Sequence, residues 1–261
     1  MIALKKLLDM KYLCYFQIFL LLACYPKNNA EEDTSNTTIN DVYLSDNPID
    51  DSTNNSNTNN QNFKLLSLGD SYTIGESVCD LCRFPEQLKD SLNNQFNTED
   101  AIQLKVIAQT GWTTTNLINA IESETLDSDY DLVTLLIGVN NQYQRKSFSN
   151  YETEFPQLVI TSITLAKGDK SNVIVISIPD YAYTPFGQGN TNISTDIDRY
   201  NTFAKNYCEQ NDITFVNITD ITRLGLINTD LVAPDGLHPS TLAYSFFVQR
   251  LMPFASDKLS E

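Results

Sequence analysis

The chain has 261 residues, with 33 acidic against 17 basic side chains and one histidine, for a formal net charge of −16 and a pI near 4.3. So acidic a chain is unsuited to nucleic acid, whose phosphates need clustered Lys and Arg, and to steering onto anionic lipid surfaces. Its apolar fraction of 41% is that of a folded domain, and solubility accounts for the acidity.

Lys5, Lys6 and Lys11 precede an apolar stretch from Tyr12 to Ala23, broken only by Gln17. The stretch is short for a membrane span and fits the hydrophobic region of a signal peptide over residues 1–23. Its end, Leu21-Leu22-Ala23-Cys24, resembles the bacterial lipobox, in which the cysteine becomes the lipidated first residue of the mature chain. An ordinary signal peptide that contains a cysteine is the alternative. Residues 24–62 are rich in Asn, Thr, Ser and Asp, have little to bury, and read as a flexible tether. The expected location is therefore the bacterial cell envelope, periplasmic or at the surface. The only membrane contact expected is a lipid on Cys24.

From residue 63 to about 257, apolar runs alternate with amphipathic stretches, the pattern of one α/β domain with a parallel sheet covered by helices. The first strand, Leu65 to Leu68, ends abruptly in Gly69-Asp70-Ser71 and a loop from Tyr72 to Cys82. A helix follows over Phe84 to Phe96, with Pro85 acceptable in its first turn. Ile102 to Ala108 reads as the second strand, leading through Gln109-Thr110-Gly111-Trp112-Thr113 into a helix over Thr114 to Glu124. Leu132 to Ile137 is the most apolar strand and so the central one, ending in Gly138-Val139-Asn140-Asn141. Then come a helix over Tyr151 to Ala166, a strand over Val173 to Ile178, and a loop from Tyr181 to Asn192. The pattern closes with a helix over Ser194 to Gln210, a strand over Thr214 to Asn217, a loop to Leu237 and a last helix over Ser240 to Leu251.

In a parallel sheet the ends of the first three strands share one edge, so their turns are neighbours by topology. Each supplies something that acyl transfer needs. Ser71 is a nucleophile once a base takes its proton, and the only histidine, His238, is the one imidazole that can do so. Asp235, three residues earlier, can orient His238. The N–H groups of Ser71 and Gly111 and the side-chain amide of Asn140 can receive a developing oxyanion. Asp70 is expected to shape the turn by bonding nearby backbone.

Four blocks in order, Gly69-Asp70-Ser71, Gly111, Gly138-Val139-Asn140 and Asp235-Gly236-Leu237-His238, resemble the SGNH or GDSL-type serine esterases and lipases. The resemblance covers about Leu65 to Leu251. It implies a three-layer α/β/α fold of flavodoxin-like character around a central parallel five-stranded sheet. It also implies ester hydrolysis through an acyl-enzyme without metal or cofactor. One residue departs from the pattern: the family often has Asp after the oxyanion Asn, a supporting residue, and Asn141 stands there. The resemblance leaves open whether Asp235 is essential.

Cys79-Asp80-Leu81-Cys82 has too few ligands for zinc and reads either as a local disulfide or as two free thiols. Cys208 is expected to be a buried small hydrophobe. Tyr72, Trp112, Tyr143, Tyr181 and Tyr183 fall in loops at the active edge, where they could border an acyl groove or stack on a sugar. The loop from Asp180 to Asn192 is a substrate wall or a flexible lid. The expected partner is a small-molecule or glycan ester, either a short acyl or lysophospholipid-type ester or an O-acetylated carbohydrate, acted on by a monomer. The competing reading is a non-catalytic surface binding module on a hydrolase scaffold.

Overall fold

Five apolar runs become the strands β1 (Phe63–Gly69), β2 (Ile102–Ala108), β3 (Leu132–Leu136), β4 (Val173–Ile176) and β5 (Thr214–Val216). The computed structural model describes residues 62–96 and 102–259. The expected signal peptide, Cys24 and the tether as far as residue 61 lie outside the described residues. All strand pairs are parallel, in the order β2-β1-β3-β4-β5. Every residue of β3 is buried, as a central strand covered on both faces requires. Where β1 and β3 lie side by side, the buried hydroxyls of Ser67 and Thr134 satisfy each other at 2.9 Å.

The parallel pairing requires crossover connections, and these place helices on both faces. Over one, α2 (Phe84–Phe96) packs on α8 (Thr241–Leu259). Over the other, α3 (Thr114–Ser123) packs on α5 (Phe148–Leu165), and α5 on α6 (Thr191–Gln210). This is the three-layer α/β/α arrangement. The buried side chains of α5 show why it lies flat: Tyr151, Phe155, Leu158, Val159, Ser162 and Leu165 recur at helical spacing along one stripe. Cys208 is a free, buried thiol on α6.

The last helix runs farther than its sequence suggests. An end at Leu251 respects Pro253, which lacks an N–H and costs a helix interior about 3 kcal/mol. In the structure α8 continues to Leu259, because Ala255 and Leu259 beyond the proline are buried in the core. Burying side chains of this kind returns an energy of similar order. Likewise α5 begins at Phe148 rather than Tyr151, and α6 at Thr191, where the Asn190 side chain caps it by accepting the Asn192 N–H at 3.1 Å.

Strand order reverses between β1 and β3, which is where an open α/β sheet leaves a crevice at its carboxyl edge. The register sets those ends level: Gly69 pairs with both Ala108 and Leu136. The turns that follow β1, β2 and β3 therefore open onto one place.

Candidate active site

The turn after β1 is built by Gly69 and Asp70. A Cβ on Gly69 would lie 2.1 Å from Thr73 Oγ1 and 2.5 Å from the Leu136 carbonyl, so only glycine lets the next segment double back against β3. That segment is the short helix α1 (Ser71–Ile74), where the sequence suggested a loop. Asp70 caps it, its carboxylate accepting the Tyr72 N–H at 3.0 Å. Asp70 is fully buried, and burial raises its carboxyl to about 7 against the N–H of Tyr72 and the amide of Asn140, which pull it down. Ser71 is the first residue of α1, so its N–H has no acceptor within the helix.

The turns after β2 and β3 meet beside Ser71. Gly111 sits at φ +84 with nothing within 4 Å of where a Cβ would be, and its carbonyl accepts the Gln144 side chain at 2.7 Å. After β3, Gly138 at φ +129 leads into α4 (Val139–Tyr143), and a Cβ there would meet the Tyr151 ring at 2.6 Å. Asn140 donates its amide to the Trp112 carbonyl at 3.1 Å and lies 3.5 Å from an Asp70 carboxylate oxygen. The second contact is weak, so that amide hydrogen is the one free to serve an incoming oxyanion. Asn141, where the family pattern often has Asp, is buried. It accepts the Thr114 N–H at 3.0 Å and donates to the Thr114 hydroxyl at 2.6 Å. It staples the start of α3 to α4, fixing the turn after β2 against the turn after β3.

The loop ahead of α8 carries Asp235 and His238. The Asp235 carboxylate meets His238 Nδ1 at 2.5 Å and accepts the N–H groups of Leu237 at 2.9 Å and His238 at 3.0 Å. It also accepts the Ser77 hydroxyl at 2.7 Å. Partial burial works to raise the Asp235 carboxyl, but the His238 ring, the two N–H groups and Ser77 outweigh it and hold the carboxyl at about 2. With Nδ1 engaged, the other ring nitrogen of His238 is the one left for chemistry.

Ser71, Gly111, Asn140 and His238 line one cavity of about 200 Å³, together with Tyr72, Tyr143, Tyr181 and Phe186. The Tyr72 and His238 rings stand 5.2 Å apart. Tyr143, Tyr181 and Phe186 pack on one another, with centroids 6.0 to 6.2 Å apart, and form an aromatic wall. The loop carrying Tyr181 and Phe186 is pinned in several places. The Phe186 N–H bonds the Gly236 carbonyl at 2.9 Å, Gly189 bonds the Ala182 carbonyl at 2.7 Å, and Asp180 pairs with Arg223 at 2.9 Å. In this structure the loop stands as one wall of the cavity. Trp112 and Tyr183, expected at this edge, do not line the cavity. Trp112 packs on the core and contributes its carbonyl to Asn140.

Ser77, Phe186 and the role of Asn141 carry no local mark in the sequence. Ser77 lies 158 positions from the aspartate it bonds, and nothing local marks it. Two residues beyond it Cys79 and Cys82 are joined in a disulfide, so of the two readings of that pair the bridge is the one present. Among the described residues, no group of three or more His, Cys, Asp or Glu side chains could hold a metal ion.

The family model of the GDSL-like lipase/acylhydrolase family matches residues 67–246. A search of curated proteins found no match. Among solved structures, an acetylxylan esterase of Geobacillus stearothermophilus is 20% identical with a TM-score of 0.58, covering 74% of this chain and 94% of its own. A lipase/acylhydrolase of Enterococcus faecalis is 19% identical with a TM-score of 0.59, covering 75% of this chain and 96% of its own. A member of the lipolytic G-D-S-L family from Veillonella parvula is 16% identical with a TM-score of 0.57, covering 73% and 97%. At these identities the likeness concerns the fold.

Proposed function

Because the chain belongs to the GDSL-like lipase/acylhydrolase family, we propose that it hydrolyses short-chain carboxylic esters through an acyl-enzyme on Ser71. The observation that carries this reading is the convergence, on one cavity, of Ser71, of His238 held by Asp235 at 2.5 Å, and of the donors Gly111 and Asn140.

In the proposed reaction, the free ring nitrogen of His238 takes the hydroxyl proton of Ser71 as the oxygen attacks the ester carbonyl carbon. The carbonyl electrons move onto its oxygen, which the N–H groups of Ser71 and Gly111 and the Asn140 amide receive. Asp235 stabilises the imidazolium without taking its proton. As the carbon–alkoxy bond breaks, His238 returns the proton to the leaving alcohol. Water then attacks the acyl-serine, with His238 again as base, and releases the acid.

The cavity, at about 200 Å³, is below the usual range for a drug-sized ligand, which favours a small acyl group over a long chain. Hydrolysis of p-nitrophenyl esters of increasing length tests this reading. Acetate or butyrate is expected to be cleaved best, and a maximum at dodecanoate or beyond would overturn it. Export and lipid attachment at Cys24 rest on the sequence pattern. Metabolic labelling with a fatty acid, lost in Cys24→Ala, is the expected outcome.

A further inference from the structure

A second cavity, of about 580 Å³, adjoins the first and shares Tyr143 and Tyr181 with it. Its lining carries Arg145, Lys146 and Arg199 against a single carboxylate, Asp196. In a chain of net charge −16 such a concentration of positive charge stands apart. Elsewhere most cations of the described residues are neutralised, as Arg223 is by Asp180 and Asp198 and Arg250 by Asp220. Arg145, Lys146 and Arg199 make no ion pair among the described residues.

One of these cations has its charged group held in place without being neutralised, and a second has its backbone fixed. The Arg199 guanidinium lies 3.7 Å from the centroid of the Phe148 ring, which orients it and leaves its charge available. Arg145 occupies the left-handed position that ends α4, at φ +54. There its N–H bonds the Gln142 carbonyl at 2.9 Å and the Lys146 N–H bonds the Asn141 carbonyl at 2.8 Å. Glycine is the favoured residue at this place, so an arginine there strains the backbone. A charged concavity focuses its field on what enters it. Asp196 is itself occupied by the Gln142 amide at 3.1 Å.

We propose that this cavity is a subsite for the alcohol part of the substrate, and that this part is a sugar bearing a carboxylate, so that the enzyme deacylates an acidic glycan. The inference rests on the esterase reading above. The cations supply the anion site. Asn190 and Asn192 supply amides for sugar hydroxyls, and the aromatic wall connects the subsite to Ser71.

The test compares kcat/KM on acetylated oligogalacturonide, acetylated xylo-oligosaccharide and acetylated glycerol phosphate, at low and at high salt. The acidic sugar is expected to be preferred over the neutral one at least tenfold, with the preference collapsing in 0.5 M salt, where the screening length is only a few ångströms. Arg199→Gln and Arg145→Gly should each reduce that preference severalfold, while Arg145→Gly raises the melting temperature by relieving the backbone. Lys205→Gln, on the same helix as Arg199 but paired with Glu209, should leave the preference intact. Equal rates on acidic and neutral sugars overturn the subsite, and so does a preference untouched by both arginine variants. Preference for the glycerol phosphate ester over the uronide overturns the assignment to a sugar. Full activity of Ser71→Ala on all three would instead strike the esterase reading on which the inference rests.

Discussion

Two turns at this site each carry an aspartate, and their surroundings drive the two carboxylates apart. Asp70, beside Ser71, is sealed from water with one short hydrogen bond, from the Tyr72 N–H, and burial lifts it to about 7. Asp235, in the loop ahead of α8, is partly open. It collects the His238 ring, two N–H groups and the Ser77 hydroxyl, which outweigh burial and hold it at about 2. A group meant to stay anionic beside an imidazolium needs donors, and Asp235 has them. A group meant to cap a turn needs only one, and Asp70 has that. Closeness along the chain to Ser71 therefore says little about role. The donor inventory separates the two.

The largest effect is expected at His238. His238→Ala should lower kcat on a short p-nitrophenyl ester by about 10⁴-fold or more, since nothing else in the cavity can take the Ser71 proton. Asp235→Asn should lower it by about 10³- to 10⁴-fold, because an amide at 2.5 Å from Nδ1 stabilises the wrong tautomer. A loss under tenfold would mean that backbone alone orients the histidine. Asn140→Ala should reduce kcat by about 100- to 1000-fold with a smaller change in KM, the mark of a contact made mainly in the transition state.

Asp70→Asn should do little to the rate, within about tenfold, and its effect should appear in stability instead, since Asn is an equally good cap. The folded Asp70 keeps its proton to about pH 7, whereas an unfolded aspartate releases it near pH 4. Between those values the native state binds more protons, so this residue's contribution falls as pH rises and is at its lowest above pH 7. Asp70→Asn should therefore raise the melting temperature at pH 8 relative to wild type and flatten its decline from pH 4 upward. Differential scanning calorimetry across that range checks the sign. The smallest effect belongs to Ser77→Ala, which removes one of the donors on Asp235 and should cost about 1 kcal/mol of stability at neutral pH. Asp235 has the opposite linkage: its stabilisation is present above pH 4 and is lost as pH falls through about 2, so the cost of Ser77→Ala should shrink in strong acid.

What the sequence discloses follows from how local each signal is. β1 and β3 are legible because apolar runs stop at glycines that the crowding at Gly69 and Gly138 makes necessary. His238 is legible because it is the only histidine and Asp235 lies three residues before it. The extension of α8 past Pro253 is not, because burial of Ala255 and Leu259 is a tertiary fact that overrides a local rule. Ser77 and Phe186 are invisible for the same reason. One reaches Asp235 across the fold, and the other joins Tyr143 and Tyr181 only once the loop is tied to Gly236. Asn141 was visible only as a departure from a pattern. The structure gives it a task, holding Thr114, that an amide performs with both of its ends.

If Ser71 is a nucleophile activated by His238, a fluorophosphonate probe should label the folded protein there, as read by peptide mass spectrometry. One covalent adduct is expected, on Ser71, absent in Ser71→Ala and strongly slowed in His238→Ala. An unlabelled wild-type protein, or an adduct that persists in Ser71→Ala, would contradict it.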